Sequence, residues 1–231
     1  MTKKIVKNII IGSIVLVAIL GIGLYTNTIK LPITREIHVQ YVADFSDDRI
    51  LMGASHNVFV GKVIKQVGDK RLGETPETQF TVEVLSNIKG DLQGTIVVNQ
   101  LGGYKYGMLY VVDSGDTVGP ISKNTDLLLK IGTTYLFATR YNSEENWHTA
   151  IFHPNAGKVI SQEGNLSTGQ LQVLAGSDKK VSLLREAYKN EILLDVDIKN
   201  NNTRNSYQLL SELNKGSLFN TLPPIENSIG Q

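Results

Sequence analysis

Residues 9–25, IIIGSIVLVAILGIGLY, form a run of seventeen residues without a charge, and nothing else in the chain restricts its folding as strongly. Such a run addresses the chain to a membrane. The uncharged interval from Asn8 to Ile29 is 22 residues long, and about 20 helical residues at a 1.5 Å rise cross the roughly 30 Å hydrocarbon core. One helix over residues 9–29 is therefore expected as a transmembrane anchor. The leader before it, residues 1–8, carries Lys3, Lys4 and Lys7, while the flank after it mixes Lys30, Arg35 and Glu36. This asymmetry predicts a cytoplasmic leader and an extracytoplasmic chain from about residue 30.

A secretory signal peptide shares the basic leader but has an apolar stretch of about 7–15 residues and a small-x-small cleavage site. Here the stretch is longer, and its exit, GLYTNTIKLP, contains no Ala-x-Ala. An uncleaved signal anchor in the cell membrane is the expectation; cleavage of the leader would make the remainder a secreted protein. The chain has no cysteine, which removes lipid attachment through a thiol and disulfides alike. Leu31-Pro32-Ile33-Thr34-Arg35 departs from a cell-wall sorting signal at its fifth residue and in its position, and is read as juxtamembrane linker.

Beyond the anchor, roughly 200 residues suffice for one domain with elaborations. Its 23 basic and 22 acidic residues nearly cancel, so no field exists to hold nucleic acid, and no nucleic-acid partner is expected. The 21 glycines and short β-branched runs point to strands. Residues 30–55 are expected to link membrane and domain, with a short helix over 47–52 capped by Ser46. Strands are predicted over 56–67, interrupted by Gly61, and over 79–88, where Phe80, Val82 and Val84 alternate with Thr81 and Glu83. Further strands are predicted over 95–101, 133–140, 147–152 and 157–160. Residues 68–77 read as a polar hairpin loop and 111–129 as a long excursion. After Ser161 the pattern turns helical, with an amphipathic helix over 181–192 capped by Asp178 or Ser182, a second short helix over 206–213, and a loose tail.

These signals follow a recognisable order. Val58-Phe59-Val60-Gly61-Lys62-Val63, then Val84-Leu85 with Lys89-Gly90, then Lys130-Ile131-Gly132 with Tyr135-Leu136-Phe137, resemble the bacterial extracytoplasmic domains of the tissue-inhibitor-of-metalloproteinase-like, OB-type barrel superfamily. The resemblance covers about residues 56–160. It implies a mainly β fold, an OB-like barrel of five or six strands with bends at Gly61 and Gly132 and with Tyr135 and Phe137 near the core, followed by a helical extension and loose tail over 161–231. Inhibition does not carry over, because in the eukaryotic inhibitors an N-terminal cysteine chelates the protease zinc and this chain has none.

The four histidines give no metal spacing: His38 lies in the linker, His56 at a strand start, and His148 and His153, five apart on a strand, point to opposite faces and read as exposed hairpin residues. Asp113 and Asp116 lack the rest of a calcium loop, and no catalytic constellation, metal or cofactor is expected. The candidate ligand-binding residues are Tyr104, Tyr106 and Tyr110, in the segment GGYKYGMLY over 102–110, since rigid amphipathic tyrosines bring large contact area at small entropic cost. Hairpin packing is the competing role for them. Leu184, Tyr188 and Ile192 form a stripe suited to docking on the barrel. The expected function is non-enzymatic: a membrane-anchored extracytoplasmic binding or scaffolding protein of the cell envelope, whose partner is an envelope protein or wall polymer. The alternatives are an inhibitor of an extracellular protease, acting by loop or edge insertion, and an envelope hydrolase with an unrecognised site.

Overall fold

Two long segments dictate the frame, one with the unbroken apolar run Val58-Phe59-Val60 and one in which Phe80, Val82 and Val84 alternate with polar residues. The computed structural model describes residues 3–38, 43–72, 75–113, 128–151 and 156–194. In chain order these form α1 (Lys3–Tyr25), β1 (Thr34–His38), α2 (Asp48–Ala54), β2 (Asn57–Leu72), β3 (Thr75–Lys89), β4 (Thr95–Leu101), β5 (Gly103–Lys105), β6 (Met108–Asp113), β7 (Thr134–Asn142), β8 (Trp147–Ala150), β9 (Gly157–Ser161), α3 (Thr168–Ser177) and α4 (Lys179–Tyr188). The fold is mainly β.

β2 and β3 pair antiparallel from Val58↔Lys89 to Leu72↔Thr75. Where polar residues predicted a loop over 68–77, the ladder continues through Lys70↔Glu77 and Arg71↔Pro76. Once apolar pairs further along fix the register, polar residues extend it with their own main-chain bonds. β4 pairs antiparallel with β3, β8 parallel with β4, β7 antiparallel with β8, and β7 antiparallel with β2. The pairings thus close a ring, β2-β3-β4-β8-β7, and β9 runs beside β7. Register shifts at Val60/Gly61 and Val63/Lys65 mark bulges that bend β2.

β2 is covered on both faces. Phe59 and Val63 pack with Phe80, Val82, Val98 and Phe137, and the Phe59 and Phe137 rings stack at 5.2 Å. Val58 and Val60 pack instead with Leu85, Leu136 and Ala138 against Leu51 and Met52 of α2, Leu171 and Ala175 of α3, and Val181 and Leu184 of α4. The helices therefore form a layer on one side of the sheet.

This layer differs from the expectation in three places. Residues 30–55 hold a strand, β1, besides the short helix expected over 47–52, and Leu51 and Met52 of that helix, α2, are fully buried. The N-cap of α2 is Asp47, which accepts from the Arg49 backbone at 2.8 Å, because Ser46 is engaged with Asp44. α3, absent from the expectation, opens on a capping box of Ser167 and Gln170, and Asp178 closes α3 while capping α4. The helix expected over 206–213 and the tail lie outside the described residues, as does 114–127 within the excursion.

Gly132 turns the chain into β7 with φ +84, its N–H donating to Val63 O at 2.8 Å. That left-handed conformation is costly for a β-branched residue. Gly132→Val is expected to destabilise the domain by about 2 kcal/mol in urea unfolding; an unchanged midpoint would show that this bend tolerates a side chain.

Val6–Tyr25 of α1 is long and apolar enough to cross a membrane, and none of that stretch is buried by the rest of the chain. At its end Asn27 takes the left-handed conformation (φ 57) that commonly terminates helices.

Candidate functional site

The tyrosine segment folds as a hairpin. Lys105 pairs with Met108, leaving Tyr106 and Gly107 as a two-residue loop in which both φ angles are positive, 53° and 77°. This is the backbone of a type I′ turn, whose twist matches the strands it joins. Glycine accepts it freely. For Tyr106 the conformation is unusual and costs on the order of 1 kcal/mol or more.

What holds the hairpin is the exit of α1. The Asn27 amide donates from Nδ2 to Tyr104 O at 2.8 Å, and its Oδ1 accepts from the Gly107 backbone at 3.0 Å. Leu31 N–H donates to Gly107 O at 2.8 Å, Leu109 N–H donates to Ile33 O at 2.9 Å, and β1 then runs parallel to β6 from Thr34↔Leu109 to His38↔Asp113. The Tyr25 and Tyr106 rings stand 6.3 Å apart. The Lys30 ammonium lies 4.3 Å from the Tyr104 ring centre, and that of Lys105 5.7 Å from the Tyr106 ring centre, distances at which cation–π attraction operates.

The three candidate tyrosines do not share one surface. Tyr104 is opposite Leu109 and Gly103 is opposite Tyr110, so Tyr104 and Tyr110 occupy opposite faces of the ladder. Tyr104 and Tyr106 gather with Tyr25 and Lys30 around the α1 exit, whereas Tyr110 lies beside Arg35 of β1.

A second polar group was not anticipated. Glu77 of β3 is 1% exposed and accepts from Asn99 Nδ2 at 2.6 Å. Burial pushes its carboxyl above the ordinary value, against the opposing pull of the Asn99 bond and Lys70. Lys70 pairs with Glu145 and sits 4.2 Å from the Trp147 ring centre. Asn99 Oδ1 and Trp147 Nε1 are buried without a protein partner. The sequence signal was available: Asn99-Gln100 inside the apolar run of β4 places amides where Val and Ile surround them. With Glu77 covered, this group offers a substrate no approach.

His148, expected at an exposed hairpin, is 7% exposed between β4 and β7. Burial lowers its pKa to about 4, so the ring is neutral at pH 7. It stands 5.0 Å from the Tyr141 ring, with Nδ1 3.5 Å from Asn57 Nδ2. The side chain of His38, His153 and Asp116 lie outside the described residues. Among the described residues no group of three or more His, Asp or Glu is placed to hold a metal.

A cleft of about 120 Å³ lies along β7, lined by Gln100, Leu129, Tyr135, Phe137, Ile151 and Val159. Small-molecule sites enclose about 300–1,000 Å³, so among the described residues this cleft is smaller than a site for a drug-sized ligand. No protein-family model matches the sequence, and neither does any curated protein.

Proposed function

We propose that the chain is a membrane-anchored extracytoplasmic scaffold of the cell envelope, built on an OB-like barrel and binding an envelope protein or wall polymer without catalysing a reaction. One observation carries this reading: the folded part begins at the helix exit with no free spacer. Asn27, Leu31 and Ile33 bond directly to the β5–β6 hairpin. A tether that only kept a domain near the membrane would work with a flexible linker, whereas a clasped one fixes the height and orientation at which a surface is presented.

The closed ring of five strands, with a meander over β2, β3 and β4 and a parallel contact between β4 and β8, supports the OB-like reading. The bulge at Gly61, the bend at Gly132 and the buried Phe137 agree with the resemblance to the tissue-inhibitor-of-metalloproteinase-like superfamily. Lys3 and Lys4 ahead of the span, with Lys7 in its first turn, support a cytoplasmic leader.

Photo-crosslinking tests the reading in cells. A photoreactive residue is placed at Val173, exposed on α3, or at Ile131, exposed at the entry to β7. Reproducible adducts with an envelope protein or wall polymer are expected. A protein that external protease reaches at the cell surface, yet that forms no adduct from either position, would refute the scaffold role.

A further inference from the structure

We propose that the Tyr106–Gly107 turn is a second membrane contact, seated in the headgroup layer beside the α1 exit, with Lys30 and Lys105 meeting the phosphates of anionic lipids. The inference rests on α1 spanning the bilayer, and it gives the tyrosine hairpin a ligand of stated chemistry, a lipid surface.

The geometry of the span sets the depth. Val6–Tyr25 comprises 20 residues, about 30 Å of helix, which matches the hydrocarbon core and leaves Tyr25 at its edge. Tyrosines concentrate at this level because an apolar ring and a polar hydroxyl suit the boundary. The Tyr106 ring, 6.3 Å from that of Tyr25, shares its depth. Gly107 comes closer still: a β-carbon there would lie 2.8 Å from Leu24 Cδ2, a side chain of the span itself. The turn thus touches the last turn of the lipid-embedded helix.

Backbone conformation and charge agree. Tyr106 holds a large ring in a left-handed conformation that Asn or Gly would adopt at less cost, and it is 44% exposed. The strain places an aromatic group at the interface. Lys30 brings an ammonium group to the Tyr104 ring and Lys105 one to the Tyr106 ring, and each basic residue near an anionic membrane surface adds attraction.

The absence of native cysteine makes the test direct. Single cysteines replace Tyr106 or, as an independent second site, Lys105 in the full-length protein. They are spin-labelled and reconstituted in vesicles of phosphatidylcholine with phosphatidylglycerol. References are Ile14→Cys within the span, Thr26→Cys at its exit and Val173→Cys on α3. Accessibility to oxygen and to a water-soluble nickel complex is expected to place 105 and 106 with Thr26→Cys, and Val173→Cys in water. Labels at 105 and 106 that behave like the Val173 label, while Ile14→Cys lies in the bilayer, would overturn the contact and leave the anchor intact. An Ile14 label in water would instead remove the span on which the inference rests. Replacing phosphatidylglycerol with phosphatidylcholine is expected to loosen the label at 106, and Lys30→Gln with Lys105→Gln to abolish that lipid dependence. Equal mobility in both lipids would overturn the role of the lysines.

Discussion

Gly53→Ala is expected to destabilise the domain by about 3 kcal/mol, the upper end of what overpacking a core by one methyl costs. Gly53 lies in the last turn of α2, and a β-carbon on it would stand 1.9 Å from the carbonyl oxygen of Ile192 and 2.9 Å from the nitrogen of Leu193. Both are main-chain atoms, so no rotamer change relieves the clash. The chain after α4 is tied down there, with the Ile192 N–H donating to Arg49 O at 3.0 Å and Glu191 paired with Lys89. Lys89 in turn donates to Met52 O at 2.7 Å, satisfying a carbonyl at the end of α2. Relief would require residues 191–193 to lift off, breaking the Ile192–Arg49 hydrogen bond and the Lys89–Glu191 pair. Urea unfolding with limited trypsin digestion near Arg185 and Lys189 measures both effects. Wild-type midpoint and wild-type cleavage together would mean that the two segments do not meet.

Acid is expected to weaken the fold through His148, by about 2 kcal/mol between pH 7 and pH 5. The folded pKa is lowered to about 4 from an ordinary 6.5, with burial as the cause. A depressed value means that the unfolded chain binds the proton first, so the contribution is complete above pH 6.5 and is lost as pH falls towards 4. One pKa unit corresponds to about 1.4 kcal/mol, and pH 5 lies about 1.5 units below the unfolded value. Glu77 acts in the opposite sense: with its folded pKa raised, its contribution is present below the unfolded value and lost as pH rises through the folded one. The two are separated by His148→Gln, which keeps a polar group near Asn57 and cannot be protonated. Wild type should lose the increment between pH 7 and pH 5 and His148→Gln should not; parallel pH slopes would place the histidine in water.

The long strands were legible because their apolar residues alternate over enough positions to fix a period. Residues 79–88 show this, whereas 95–101 was marked by the β-branched run Ile96-Val97-Val98 and by the glycines on either side of it. α2 was placed approximately but not its burial, since the seven residues DRILMGA are too few to show a helical face and their partners are as distant as Leu184. α3 left a local trace in Ser167-x-x-Gln170. β1, the segment TREIH, left none, because its pairing with β6 depends on where the hairpin lands. The tyrosine segment announced itself by composition, but its clasp could not, since Asn27 and Gly107 are 80 residues apart. For His148 the residue type suggested solvent, and only its position between β4 and β7 explains the burial.

Under the proposed extracytoplasmic topology, the clasp at Asn27 also dictates a schedule for export. In a chain that leaves the membrane behind its N-terminal anchor, Asn27 emerges 80 residues ahead of Gly107, an interval of about 4–16 s at synthesis rates of 5–20 residues per second. During that time β1 is an open strand edge held at the translocation site, where any neighbouring chain offers an alternative ladder. Arg35 and Glu36 within β1 put charge of both signs on that waiting edge. In that topology, secure seating of the domain on its anchor would be among the later events of its biogenesis, completed only once the hairpin has emerged.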